Sequence, residues 1–244
     1  MEIYNYLKKL HNACLEGVEK LSFDKKHRRC LHLIGLYGSI IEFTGSLICL
    51  IEKKHRTGVP PIFRSLLEAS VEFSNLHNDA TYGYHMDAIY QEQWLKLLKE
   101  AQTKQNPYLA DISNLPNLDE LVTETKTKLQ ALIDKGYRPL NIFQRFDKAG
   151  MVNEYRSLYN SLCNDSHSNI RSLIDRHMEI NGKDYSVVFY KDSPIEDYLP
   201  YIDSATRLLL DTSLKVHSFF KSEGLENFEK LDDELQSIRN NYTT

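Results

Sequence analysis

The sequence predicts an all-α fold, a single multi-helix bundle over residues 1–244 with one small β-hairpin near residues 177–190. Three observations predict it. Apolar residues recur at helical spacing through most of the chain. Only 10 Gly and 7 Pro interrupt 244 residues, which favours long helices over a loop-rich β fold. A period of two appears once, in Met178-Glu179-Ile180 and Tyr185 to Tyr190 on either side of Asn181-Gly182, a strong hairpin signal.

The elements follow in order. Residues 2–20 form an amphipathic helix with Ile3, Leu7, Leu10, Cys14 and Val18 on one face. A long helix runs from about Asp24, an expected N-cap, to His55, and stops before Gly58-Val59-Pro60. Pro60-Pro61 opens a third helix, because proline is tolerated in a first turn, and this helix reaches about Asn78. A fourth spans about Tyr84 to Lys104, and the polar stretch from Asn106 to Asn117 reads as a loop. Leu118 to Lys135 is helical with Gly136 closing it, and Asn141 to Ala149 is a short helix. Asn153 to about Ser168 is one helix. After the hairpin, Pro194 to Lys221 and Leu225 to Arg239 complete the bundle.

Leu31 to Ile51 contains no Lys, Arg or Asp and has the length of a membrane span. Glu42 near its centre would cost a few kcal/mol in a bilayer, and basic clusters flank both ends, so a buried central helix is the expected state and no membrane is expected. Met1-Glu2-Ile3-Tyr4 does not begin a signal peptide. Cys14, Cys30, Cys49 and Cys163 are scattered without a CxxC pair, which fits reduced thiols and a cytoplasmic location. A net charge of −4 excludes a globally basic nucleic-acid coat but leaves room for a local patch. Lys25, Lys26, Arg28 and Arg29 form one such cluster, and Lys53, Lys54 and Arg56 another. The second complements a helix dipole at its C-terminus, and its charges would equally suit RNA phosphates.

Two helical segments place polar residues where a helix should bury itself. Arg64, Glu68 and Glu72 recur every four residues amid Phe63, Leu66, Leu67 and Val71, so they make one stripe close to the core. Tyr159 and His167, eight apart, share a face on a later helix that ends in the polar run from Asn164 to Asn169. Met inside a bundle, the two stripes make a polar cluster that must be hydrogen-bonded throughout or functional. Imidazole titrates near neutrality, which suits His167 to acid–base work, with Glu68 fixing its tautomer and an arginine holding an oxyanion or phosphate. No zinc or di-iron motif, no phosphate-binding glycine loop and no nucleophile elbow occurs, so neither a metal nor a cofactor is expected. Fifteen tyrosines leave some for an interface or a base-stacking pocket, and the hairpin edge could dock a second subunit.

The phrase Ile62-Phe63-Arg64-Ser65-Leu66-Leu67-Glu68-Ala69, followed far downstream by Tyr159-Asn160-Ser161-Leu162 and His167, resembles the bacterial domain-of-unknown-function family numbered 5677. That family is similar in helical layout to the HEPN superfamily, many of whose members are metal-independent ribonucleases of toxin–antitoxin and antiviral systems. The resemblance implies an Arg and a His separated by four to six residues, and Arg171 with His177 is the fit to that spacing here.

The expected function is therefore a HEPN-like protein of bacterial antiviral defence or toxin type that cleaves RNA without a metal. His167 would be the general acid or base, Glu68 its orienting partner, Arg64 the phosphate holder and Tyr159 a hydrogen-bond donor, with Arg171 and His177 as the rival pair. The alternative is a non-catalytic helical module that binds a protein or nucleotide and uses the same cluster structurally. Expected partners are RNA, a protein from the same operon and a second copy of the chain.

Overall fold

The computed structural model describes residues 2–166, 170–182, 184–191 and 193–243. The chain forms two compact units, one of residues 1–77 and 146–244 and one of residues 78–145 inserted between them in sequence. The fold is all-α with a single antiparallel hairpin among the described residues.

The first unit begins with α1 (Glu2–Val18) and α2 (Arg28–Glu52), followed by α3 (Val59–Asn78), whose last residue starts the inserted unit. α1 buries Ile3, Leu7, Leu10 and Cys14, the predicted stripe, although Val18 is exposed. α2 starts later than expected. Asp24 does not cap it, because its Oδ1 accepts the Lys26 amide in a local turn that precedes the helix. By length and composition α2 could cross a membrane; here Leu33, Tyr37, Ile40, Ile41, Thr44, Leu47, Ile48 and Ile51 form its buried stripe and Glu42 is exposed.

The inserted unit holds α4 (Tyr82–Gln102), α5 (Ala110–Ser113) and α6 (Leu118–Asp134). Leu98, Ala101 and Leu118 form its core, with Trp94, Leu109, Ile112, Leu121 and Val122 packed around them. The stretch expected to be a loop is partly helical. Asn106 Oδ1 accepts the Tyr108 amide and Pro107 opens the turn, so polar residues here cap short helices instead of preventing them. Gly136, at φ +90°, ends α6 as expected. α7 (Ile142–Lys148) returns the chain to the first unit at Phe146.

The segment read as one straight helix from Asn153 is interrupted. α8 (Val152–Glu154) runs into a π-helical turn (Tyr155–Tyr159) before α9 (Asn160–Ser166), and the Asn160 amide reaches back five residues to the Tyr155 carbonyl. α10 (Ile170–His177) leads into β1 (Met178–Asn181) and β2 (Asp184–Val187), paired Met178 to Val187 through Asn181 to Asp184. Gly182 at φ +67° supplies the left-handed turn residue that Asn-Gly predicts. A 3₁₀ turn (Ile195–Tyr198) precedes α11 (Leu199–Phe219), and α12 (Leu225–Thr243) ends the chain.

α11 is the axis of the first unit, packed against α1, α2 and α12. It buries Ile202, Ala205, Leu209, Leu210 and Val216, and with them Thr206, Thr212, Ser213 and His217. Each buried hydroxyl of α11 donates to the carbonyl one turn back, Ser213 to Leu209 at 2.7 Å. That uses the only proton Ser213 has, so the Tyr37 hydroxyl at 3.1 Å and the Cys14 thiol at 3.2 Å both donate to Ser213 Oγ. One oxygen thus joins α1, α2 and α11. Burial pushes the Cys14 thiol up to about 11, which suits the protonated donor this geometry requires. All four cysteines are free, and Cys14 alone is fully buried.

The same reasoning sets the tautomer of His217. Ser222 Oγ donates to the Lys20 carbonyl and accepts the Gly224 amide, so His217 Nδ1, at 2.9 Å, must be the donor to it. Nε2 is then a bare lone pair with no hydrogen-bond partner, facing Phe228 and Gly17. A Cβ at Gly17 would approach Nε2 to 3.2 Å and one at Gly224 would approach Nδ1 to 2.9 Å, so the ring is clamped where only glycine fits. Burial, with the Lys20 charge adding to it, holds the imidazole down at about 4.

Two outcomes follow from these buried groups. Ser213→Ala strands the Tyr37 hydroxyl and the Cys14 thiol without an acceptor, and urea unfolding should register a loss of about 1–3 kcal/mol. For His217 the unfolded chain takes up a proton near pH 6.5 and the folded chain only near 4, so its contribution is whole above about 6.5 and declines as pH falls toward 4. The full decline is about 3 kcal/mol. His217→Asn keeps a donor for Ser222 but cannot be protonated, and should flatten this part of the stability–pH curve.

Candidate functional site

α3 carries the first half of the site. Its apolar face, Phe63, Leu66, Leu67, Ser70 and Val71, is buried, which leaves Arg64 and Glu68 at the boundary of the core with side chains 27% and 32% exposed. The second half is Tyr159, only 4% exposed, at the end of the π turn. Tyr155 and Tyr159 stack at 5.5 Å, and Phe146 packs against both rings at 5.4 and 5.0 Å. The widened turn and the three-ring stack together hold the Tyr159 hydroxyl against α3.

The three polar groups close into a ring. Arg64 Nε donates to Glu68 Oε1 at 2.9 Å, Arg64 Nη2 donates to the Tyr159 hydroxyl at 2.8 Å, and that hydroxyl donates to the same Oε1 at 2.9 Å. The guanidinium carbon also lies 5.0 Å from the centre of the Tyr159 ring. Burial, reinforced by the hydrogen bond to Glu68, raises the Tyr159 phenol, so it stays protonated and donating through the physiological range. Partial burial works against the charge of Arg64, but the bond to Glu68 and the negative groups around it hold the guanidinium above its usual value.

The convergence of Arg64, Glu68 and Tyr159 is as the two stripes predict. His167 lies outside the described residues. Glu72 continues the α3 stripe, half-buried, without a bond to the ring. Cys163, one turn after Tyr159, is close enough to act on the ionisation of both Arg64 and Tyr159, a neighbour that the sequence offers only as the next residue on the Tyr159 stripe. The rival residues do not share a face: six positions on α10 set Arg171 and His177 about 120° apart. Arg171 is exposed, whereas His177 faces the Val188 carbonyl at 3.3 Å and packs on Phe189. Among the described residues no three His, Cys, Asp or Glu side chains meet in a group able to hold a metal.

Chemically, the ring offers both halves of an acid–base site. Glu68 Oε2 and Arg64 Nη1 have no hydrogen-bond partner among the described residues, so a proton acceptor and a charge-bearing donor remain beside a neutral phenol.

Fold and site together define an all-α protein with a half-open Arg–Glu–Tyr cluster set by a π turn. The chain belongs to DUF5677, a family of unknown function, whose profile matches residues 31–185, from α2 through the hairpin. The matched span contains the whole ring and residues 167, 171 and 177. No curated protein and no solved structure gives a significant match.

Removing the shared hydroxyl tests how the ring is held. Tyr159→Phe leaves Arg64 and Glu68 paired, but each loses a partner at a buried ring, and chemical denaturation should show a loss of about 1–2 kcal/mol. Arg64→Ala should cost no less, because it also removes the group lying over the Tyr159 ring.

Proposed function

We propose that this chain is a HEPN-like, metal-independent endoribonuclease of bacterial antiviral defence or toxin type, with the Arg64–Glu68–Tyr159 ring as part of its active site. The observation that carries the reading is the state of that ring. Its bonds hold at 2.8–2.9 Å, while the two charged side chains remain about one-quarter to one-third exposed and keep unshared oxygen and nitrogen atoms.

In this reading Arg64 holds a non-bridging oxygen of the scissile phosphate and stabilises the charge that builds up on the phosphorane. His167, eight residues beyond Tyr159 in sequence, takes the proton from the ribose 2′-hydroxyl as O2′ bonds to phosphorus. The P–O5′ bond breaks and O5′ takes a proton from water, leaving a 2′,3′-cyclic phosphate, and the imidazolium returns its proton to the hydroxide so formed. Glu68 orients the imidazole, and Tyr159 donates to the carboxylate so that it stays in place. The π turn supports the assignment, since such turns gather at functional sites.

A second reading is a non-catalytic helical module that binds a protein or nucleotide. The internal closure of the ring favours it: Arg64 and Glu68 offset each other's charge, and the Tyr159 hydroxyl is fully engaged.

Incubation of the chain with single-stranded RNA in excess chelator separates the two. The expected result is cleavage to 2′,3′-cyclic phosphate ends, reduced roughly 10²–10⁴-fold in His167→Ala and Glu68→Gln with thermal melting unchanged. Intact RNA with the wild-type chain would leave only the non-catalytic reading, and wild-type cleavage by both variants would remove Glu68 and His167 from the active site.

A further inference from the structure

A second polar constellation lies elsewhere in the first unit and shares no residue with the ring. A cavity of about 300 Å³ is lined by Leu50, Thr57 and Gly58 and by Lys54, His55, Arg56, Arg176, His177 and Lys191, with Tyr190 beside them. Its cations come from three segments: the connection after α2, the end of α10 and the strand exit after β2. No acidic residue is among its described lining residues, although the chain as a whole carries −4.

The simplest explanation is that these cations offset the dipoles of α2 and α10, both of which end here. The magnitudes do not support that as a full account. Two helix C-termini contribute roughly −0.5 each, whereas Arg56 and Lys191 alone carry two full positive charges. The terminal carbonyls are also already served by backbone donors. The Lys54 amide bonds the Ile51 carbonyl at 3.0 Å and the His55 amide bonds the Leu50 carbonyl at 2.8 Å, while the Val188 amide takes the His177 carbonyl at 2.8 Å. Arg56 and Lys191 are half-buried, and their side chains have no hydrogen-bond or ion-pair partner among the described residues. Partly burying two unpaired cations in one hollow is costly unless an anion joins them.

The backbone points to the same place. Lys54, at φ +55°, is the left-handed residue that closes α2, but Tyr190, at +56°, ends no helix and lines this cavity. In Tyr190 the result is an aromatic ring left 87% exposed at the cavity mouth, its edge against His55 at 6.1 Å. A planar group entering beside the ring would find a stacking face, and the cavity size is at the lower end of small-ligand sites.

We propose that this cavity binds a nucleoside phosphate monoester, with the phosphate among Arg56, Lys191 and the neighbouring cations and the base against Tyr190. The proposal rests on neither reading of the Arg64 ring. The same chemistry could be presented by a free mononucleotide or by the 5′-phosphorylated end of an RNA strand.

Calorimetric titration of the full chain with adenosine 5′-monophosphate, adenosine, and one short oligoribonucleotide bearing either a 5′-phosphate or a 5′-hydroxyl tests it. The monophosphate should bind and weaken as salt rises, whereas adenosine should not bind measurably. Arg56→Gln with Lys191→Gln should lower affinity roughly tenfold or more, since two charge-assisted contacts are lost. Tyr190→Ala, at an exposed position, should weaken adenosine monophosphate while leaving inorganic phosphate unaffected, and it serves if the double variant does not fold. Tighter binding of the phosphorylated strand than of the mononucleotide assigns the site to strand ends, and the reverse order assigns it to free nucleotide. Failure of both phosphorylated probes to bind, or wild-type affinity in the double variant, would overturn the proposal. Glu68→Gln should bind like wild type, so loss of RNA cleavage and loss of this site are read separately.

Discussion

The first unit depends on the burial of polar groups along α11. The buried face of this helix cannot give its hydroxyls to water, so Thr206, Thr212 and Ser213 return their protons to the helix backbone. What remains at Ser213 is a single acceptor oxygen, and Tyr37 from α2 and Cys14 from α1 converge on it. Near the other end, Ser222 receives His217 and binds the Lys20 carbonyl after α1. These bonds are individually modest, but misplacing any of the helices would leave a buried donor unmet, so they fix register more than they add stability.

That rigid axis reaches the candidate site through aromatic contacts. Tyr201, in the first turn of α11, packs edge-on against Phe63 at 5.4 Å, one residue before Arg64. From the other side of the site, Phe146 and Tyr155 fix Tyr159. The ring of Arg64, Glu68 and Tyr159 is therefore positioned by apolar packing and closed by charge-assisted bonds. An exposed i,i+4 ion pair alone contributes little. The buried phenol is what makes this one geometrically specific, since its oxygen must face both partners at once.

Charge is distributed unevenly over this acidic chain. At the ring, one cation and one anion sit together and leave little net field. At the cavity after α2, four cations and two histidines meet without an acidic residue among the described lining. A neutral, half-open cluster suits proton movement, and a positive hollow suits retention of an anion; the two sets of side chains share no member.

Much of this was legible in the residues themselves. The helical period of α1, α3 and α11, the proline opening of α3 and the Asn-Gly turn are local signals, because they depend on neighbours within a few positions. The four-residue spacing of Arg64 and Glu68, amid apolar neighbours, placed both at the edge of the core, and Tyr159 could be named as their partner. Other features had no local signal. The π turn differs from an α turn by one backbone bond, and nothing in Tyr155 to Tyr159 marks it; packing against Phe146 does. Lys54, Arg176 and Lys191 read as separate helix-end or loop charges until the fold brought them to one cavity. Sequence determines what each short segment can bury and cap, whereas the meeting of side chains nearly a hundred residues or more apart is decided by long-range packing, which no local period encodes.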